Sequence, residues 1–213
     1  MANQIVLFDF DGVLADTLDD MLRFAEAVCS KLGFSRTPTL EDLDALDRME
    51  FAEFGRRLEL PEDKIQDFVR DSFQMFSQRE TPPRLFEGMG DVVIQLSVAS
   101  KIGIVSGNTS SVIRRFLDYY GLTRYVNIVL GADTPGSRPE KIRQAVKGLG
   151  QRMGEKAFMV GDAVSDIRAA RAASVVSIAV GWGHQSGEKL MQAKPDYFVR
   201  SPVELLAILT DTY

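Results

Sequence analysis

Residues 8–12 read FDFDG, so an apolar run ends on two aspartates, Asp9 and Asp11, set two residues apart. In an extended strand such residues project from the same side. A bend at Gly12 can then turn the second carboxylate relative to the first. One can attack an electrophile while the other gives a proton to the departing atom and later takes one from water. Polar residues recur at comparable places further along: Ser106-Gly107-Asn108, Arg138 with Lys141 one turn on, and Gly161-Asp162 with Asp166 four residues later. Gathered at one edge, these carboxylates would repel one another and be costly to desolvate. A hard divalent cation removes the conflict, and Mg²⁺ suits a site of a few carboxylates and several waters. Asp9, Asp162 and Asp166 can supply its ligands. The Ser106 hydroxyl and the amides near Gly12, Gly107 and Asn108 can donate to an anion, and Arg138 or Lys141 adds positive charge. Such a set meets the needs of a phosphoryl group in transfer, which depends on positioning and charge stabilisation.

The surrounding pattern supplies elements to hold these groups. Residues 4–10, QIVLFDF, read as a strand buried on both faces. From Thr17 to Leu32 apolar residues fall at helical spacing, and Gly33 suits the end of that helix. Three more helices follow: LEDLDALDR after a Thr39 cap, Phe51 to Leu58, and Pro61 to about Gln78. Thr81-Pro82-Pro83 ends the run. Beyond it strands and helices alternate. Strands are expected at 102–106, 126–130, 157–160, 175–180 and 197–199, with helices at 89–96, after Asn108 or Thr109, and at 139–149, 165–173 and 202–209. Alternation of this kind implies right-handed crossovers and a parallel sheet covered on both faces. The expected architecture is therefore α/β. A Rossmann-like core, residues 1–15 and 83–213, carries a small all-helical cap, residues 16–82, inserted after the first strand. An insertion at that point overhangs the strand ends where ligands bind in open parallel sheets.

Composition narrows the function further. Hydrophobic residues make up 45% of the 213 residues, enough for a full core. The net charge of −5 and the lack of a Lys/Arg cluster argue against nucleic acid. The single cysteine, Cys29, precludes an internal disulfide and reads as a packing residue. With neither a long apolar span nor a leader pattern, the expectation is a cytoplasmic protein without a membrane partner, a monomer or homodimer.

With these motifs in order, the sequence resembles the haloacid dehalogenase-like phosphohydrolases that carry a small helical cap. The match runs through DFDGVLADT at 9–17, FEGM at 86–89, VSGNT at 105–109, VGDAVSD at 160–166 and VGWG at 180–183. The resemblance implies that Asp9 is the nucleophile and Asp11 the general acid and base. It implies Mg²⁺ on Asp9, Asp162 and the backbone carbonyl of Asp11, with Asp166 close behind, and Ser106 on the transferring phosphoryl group. The family's basic residue is usually a lysine. In GSRPEKI either Arg138 or Lys141 could fill that role, and the reading leans to Lys141 because loop length varies there.

Some residues carry a plainer reading. His184 is the only histidine and is expected to be a surface or packing residue. Asp16 and Thr17 could cap the first cap helix or line the entrance to the site. Arg48, Arg56 and Arg57 fit a solvated helical face, although a substrate with a second anionic group would need a cation such as Arg48 from the cap. The expected activity is a Mg²⁺-dependent phosphatase acting on a small phosphorylated metabolite, with phosphoglycolate phosphatase the nearest named activity. The alternatives are a phosphomutase of the β-phosphoglucomutase type and a binding protein that has lost catalysis. The cap segment DTLDDMLRF lacks the histidine that the mutases carry there.

Overall fold

The structure is a computed structural model describing residues 4–210. Strand β1, Gln4–Phe8, is buried at every position. It is followed by a two-residue strand β2, Ala15–Asp16, and by helices α1, Leu18–Lys31, α2, Leu40–Asp44, α3, Phe51–Arg57, and α4, Glu62–Ser77. The chain returns through β3, Arg84–Leu85, which pairs antiparallel with β2. The remainder alternates: α5, Met89–Leu96; β4, Ser100–Val105; α6, Ser110–Tyr119; β5, Ile128–Leu130; α7, Arg138–Gly148; β6, Lys156–Gly161; α8, Val164–Ala173; β7, Val176–Val180; α9, Gly187–Gln192; β8, Tyr197–Val199; and α10, Pro202–Thr210.

Six strands form one parallel sheet in the order β5-β4-β1-β6-β7-β8. β1 lies between β4 and β6, with Phe8 opposite both Ile104 and Val160. The register decides where the site is. The residues just beyond these partners are Asp9, Val105-Ser106 and Gly161-Asp162, so all emerge at the same carboxyl edge. Apolar residues of β1 alternate between two layers: Val6 and Phe8 join one core with Ile104, Phe116 and Val160, while Ile5 and Leu7 join the other with Ile142 and Met159. Strands covered on both faces need near-continuous apolar sequence, which QIVLF supplies.

Helices α1 to α4 enclose a separate apolar cluster that includes Phe24, Val28, Cys29, Leu43, Phe54, Ile65 and Phe68. Cys29 is fully buried in it. The β2–β3 ribbon, with Arg84 bonded to Asp16 at 3.0 Å, ties the outgoing and returning chain segments together beneath these helices. The ribbon and α9 have no counterpart in the sequence reading, since elements of two and six residues are too short to establish a period. Helix α4 begins at Glu62 with Pro61 as its N-cap, and α2 stops at Asp44 rather than running to Arg48.

Candidate active site

β1 delivers Asp9 to the sheet edge, where its amide still donates to the Val160 carbonyl at 2.8 Å. Its carboxylate accepts from the Phe10 amide at 2.7 Å and from Arg138 at 2.8 Å. Gly12 takes φ +75, a conformation that glycine adopts without strain, and the chain doubles back so that its amide donates to Ala15 O at 2.9 Å. The turn swings Asp11 toward Asn108, whose amide nitrogen donates to the Asp11 carboxylate at 3.1 Å. Burial, followed by the neighbouring Asp9 charge, pushes the Asp11 carboxyl up to about 6 against the opposing influence of His184, Asn108 and Thr17.

The second acidic motif follows β6. Asp162 is almost fully buried, and its carboxylate accepts both the His184 amide and the His184 Nδ1 side at 2.8 Å. Asp166, in the first turn of α8, accepts from the Ala163 amide at 3.1 Å and contacts the Arg138 guanidinium. Carboxylate oxygens of Asp9, Asp162 and Asp166 all lie within 4.8 Å of one another. The backbone packs tightly around them: a Cβ at Gly12 or Gly183 would overlap the Asp162 side chain, and one at Gly161 would overlap Asp166. A buried, all-oxygen donor set with one arginine among three carboxylates fits a hard divalent cation.

The two basic candidates occupy different places. Arg138, at the start of α7, reaches both Asp9 and Asp166. Burial works against its charge, but Asp9 with Asp162 and Asp11 outweighs it and holds the guanidinium above its usual range. Lys141, one turn on, does not meet a site carboxylate. Its Nζ donates to the Gly131 carbonyl at 2.6 Å, and burial, then the nearby Arg138 charge, holds the ammonium below its ordinary value. The expected lean to Lys141 thus differs from the geometry, because the Arg138-Pro139 start of α7 already places a cation over Asp9. Ser106 is buried, and its hydroxyl accepts the Asn108 amide at 3.1 Å, while Gly107 beside it is exposed to the cavity.

His184 is not on the surface. It is 8% exposed and stands between Asp162 and Thr17, whose hydroxyl lies 3.2 Å from Nε2. Burial opposes its charge, but Asp162, with Asp11 and Asp9 beyond, raises the imidazole pKa. Thr17 occupies the N-cap position of α1 without a capping bond; its side chain instead faces His184 and helps to lower the Asp11 pKa. The signal in the sequence was the position of His184 directly after VGWG. Loop 181–186 also reaches the cap. Gln185 donates to Leu46 O at 2.7 Å and accepts the Val164 amide at 2.7 Å, while Lys189 donates to the carbonyls of Asp44 and Leu46. Arg48 does not enter the cavity over Asp9; it is exposed and pairs with Glu50 and Glu53.

A parallel sheet carries an acidic pair, a Ser-Gly-Asn turn and a second acidic pair at one edge, beneath an inserted helical cap, which is the layout of a capped Rossmann-like hydrolase. A sequence model described as Haloacid dehalogenase-like hydrolase matches residues 6–180, and the chain belongs to that family. It is 27% identical over 213 residues to a phosphoglycolate phosphatase of Synechococcus elongatus, covering 97% of each chain. It is 28% identical to the pyrophosphatase PpaX of Listeria welshimeri, covering 97% of this chain and 96% of the other. A haloacid dehalogenase-like family protein of Streptococcus pneumoniae has the same fold, with a TM-score of 0.82 at 21% identity over 96% of this chain and 97% of that one. No helix among the described residues is long and apolar enough to cross a membrane.

Proposed function

We propose that the chain is a Mg²⁺-dependent phosphatase of small phosphorylated metabolites, working through an aspartyl-phosphate. Residues 1–15 and 83–213 form the catalytic core in this reading, and 16–82 the cap. An Asp9 carboxylate oxygen attacks phosphorus, and the bond from phosphorus to the ester oxygen breaks. Asp11, protonated through its raised pKa, gives its proton to that leaving oxygen. Water then attacks the Asp9-bound phosphorus, Asp11 takes the proton, and Asp9 leaves free as phosphate departs. Asp9, Asp162 and the Asp11 carbonyl, backed by Asp166, would hold the ion, which when bound neutralises the phosphoryl oxygens. Ser106 and the turn at Gly107-Asn108 grip the same oxygens, and Arg138 holds the Asp9 carboxylate in place.

The observation that carries this reading is the asymmetry of the aspartates. Asp9 is held in place by the Phe10 amide and by Arg138, whereas Asp11 sits two residues away with its carboxyl raised to about 6. One is suited to attack and the other to donate. Hydrolysis of p-nitrophenyl phosphate should require Mg²⁺ and vanish in Asp9→Asn. Metal-independent turnover, or full activity in that variant, would remove the proposal.

A further inference from the structure

The cavity above Asp9 has two unlike ends. Its floor holds Asp9, Asp11, Ser106, Asn108, Arg138 and Asp162. Its roof, supplied by the cap, is built from Met21, Met49, Phe51, Val69, Phe73 and Phe76. Phe51 packs edge-on to Phe73 with ring centroids 5.0 Å apart, and tilts against Phe76 at 5.7 Å. The volume is about 270 Å³, room for a phosphoryl group and a modest substituent. No lysine, arginine or histidine of the cap lines it among the described residues, and the one charged cap residue there, Glu50, has the wrong sign for an anion.

Most of the cap's arginines pair outside this cavity. Arg23 and Arg79 pair with Asp20, Arg56 with Glu62, Arg57 with Asp42, and Arg70 with Asp67 and Asp71, while Arg48 lines the adjoining cleft and pairs with Glu50 and Glu53. A substrate carboxylate or second phosphate directed at this roof would lose water and gain no partner, which is strongly unfavourable. An alkyl or aromatic substituent would instead bury apolar surface against aromatic and methionine side chains, a favourable exchange.

We propose that the site takes phosphate monoesters of uncharged, apolar alcohols, with the phosphoryl group on the Asp9 floor and the organic group against the Phe51–Phe73–Phe76 roof. This rests on the phosphatase reading. It sets the chain apart from relatives named for phosphoglycolate and pyrophosphate, both of which carry negative charge beyond the transferred phosphoryl group.

The test compares isobutyl phosphate with 2-phosphoglycolate, which is close in size and carries a carboxylate in place of the isopropyl group. Isobutanol is no better a leaving group than glycolate, so intrinsic reactivity does not favour the expected winner. With the full chain and Mg²⁺, kcat/KM for isobutyl phosphate should exceed that for 2-phosphoglycolate by at least about tenfold, with the difference mainly in KM. Phe73→Arg should narrow or reverse the ratio by placing a cation in the roof. A preference of the unaltered chain for 2-phosphoglycolate or pyrophosphate would overturn the proposal. Calorimetric binding of the non-hydrolysable pair, 3-methylbutylphosphonate and 3-phosphonopropionate, separates the two readings. If no ester is turned over, the phosphatase reading falls, yet tighter binding of the alkyl phosphonate still supports an apolar roof. Tighter binding of the carboxylated one overturns it.

Discussion

Around Asp9 the sheet edge joins Asp11, Asp162, Asp166, Arg138 and His184 in one cluster of charge pairs and hydrogen bonds. Opposite it, the cap presents Met21, Phe51, Phe73 and Phe76 to the same cavity. The floor is held by directional bonds and by glycines that leave no room for a Cβ, so small displacements there are felt at once. The roof is held by packing, which tolerates exchange of one apolar side chain for another of similar volume. In the proposed reading chemistry and selectivity are thus separated in space, and a change on one side should leave a different kinetic signature from a change on the other.

The largest effect expected is on the floor. Asp9→Asn should lower turnover of p-nitrophenyl phosphate by at least about a thousandfold, with the circular dichroism spectrum unchanged. Gly183→Ala comes next. The new methyl must displace Asp162, and a shift of about 1 Å in a catalytic group lowers kcat on the order of a hundredfold. Thermal or urea unfolding should show a loss of about 1–3 kcal/mol in the same variant. If Gly183→Ala is as active as the parent, the floor is less rigid than its packing indicates.

Acidity gives a third contrast. Burial and the Asp9 charge push the Asp11 carboxyl of the metal-free chain up to about 6; a cation bound at Asp9 offsets that charge and lowers it, so with Asp11 as proton donor kcat/KM should fall along an alkaline limb. Asp11→Asn should abolish that limb along with most of the activity. Stability of the metal-free chain follows the same group with a definite sign. Between the ordinary carboxyl value of 3.8 and about 6 the folded chain binds this proton more tightly than the unfolded one, so stability from this source falls as pH rises through the interval. The difference in unfolding free energy between parent and Asp11→Asn should therefore shift in favour of the variant from pH 4 to pH 6.5 or so. The smallest effect belongs to the contact between floor and roof. Lys189→Met removes the donor to the Asp44 and Leu46 carbonyls and should change kcat and KM together by about threefold, leaving pH dependence intact.

Much of the floor was readable because its residues close strands whose apolar runs are unmistakable. QIVLF leads to Asp9, SKIGIV to Ser106 and KAFMVG to Asp162, and a parallel sheet must deliver all three to one edge. Arg138 and Lys141 were both recognisable as cations, but only three-dimensional placement distinguishes the one on Asp9 from the one on Gly131. The contact of His184 with Asp162 was not legible because a single histidine in a loop has no periodicity, and Asp162 lies 22 residues away in sequence. The roof was least legible. Met21, Phe51 and Phe76 fit the helical spacing of a cap core, and they do join or pack against one. The pattern carries no sign that these side chains also face the carboxylates.

The two-residue ribbon of Ala15–Asp16 and Arg84–Leu85 has a mechanical consequence. Both tethers of the helical insert leave from one point and are stitched to each other, so the insert departs from and rejoins the sheet at a single junction. With the bonds from Gln185 and Lys189 to Leu46, that junction gives the aromatic wall two anchors on the core rather than one.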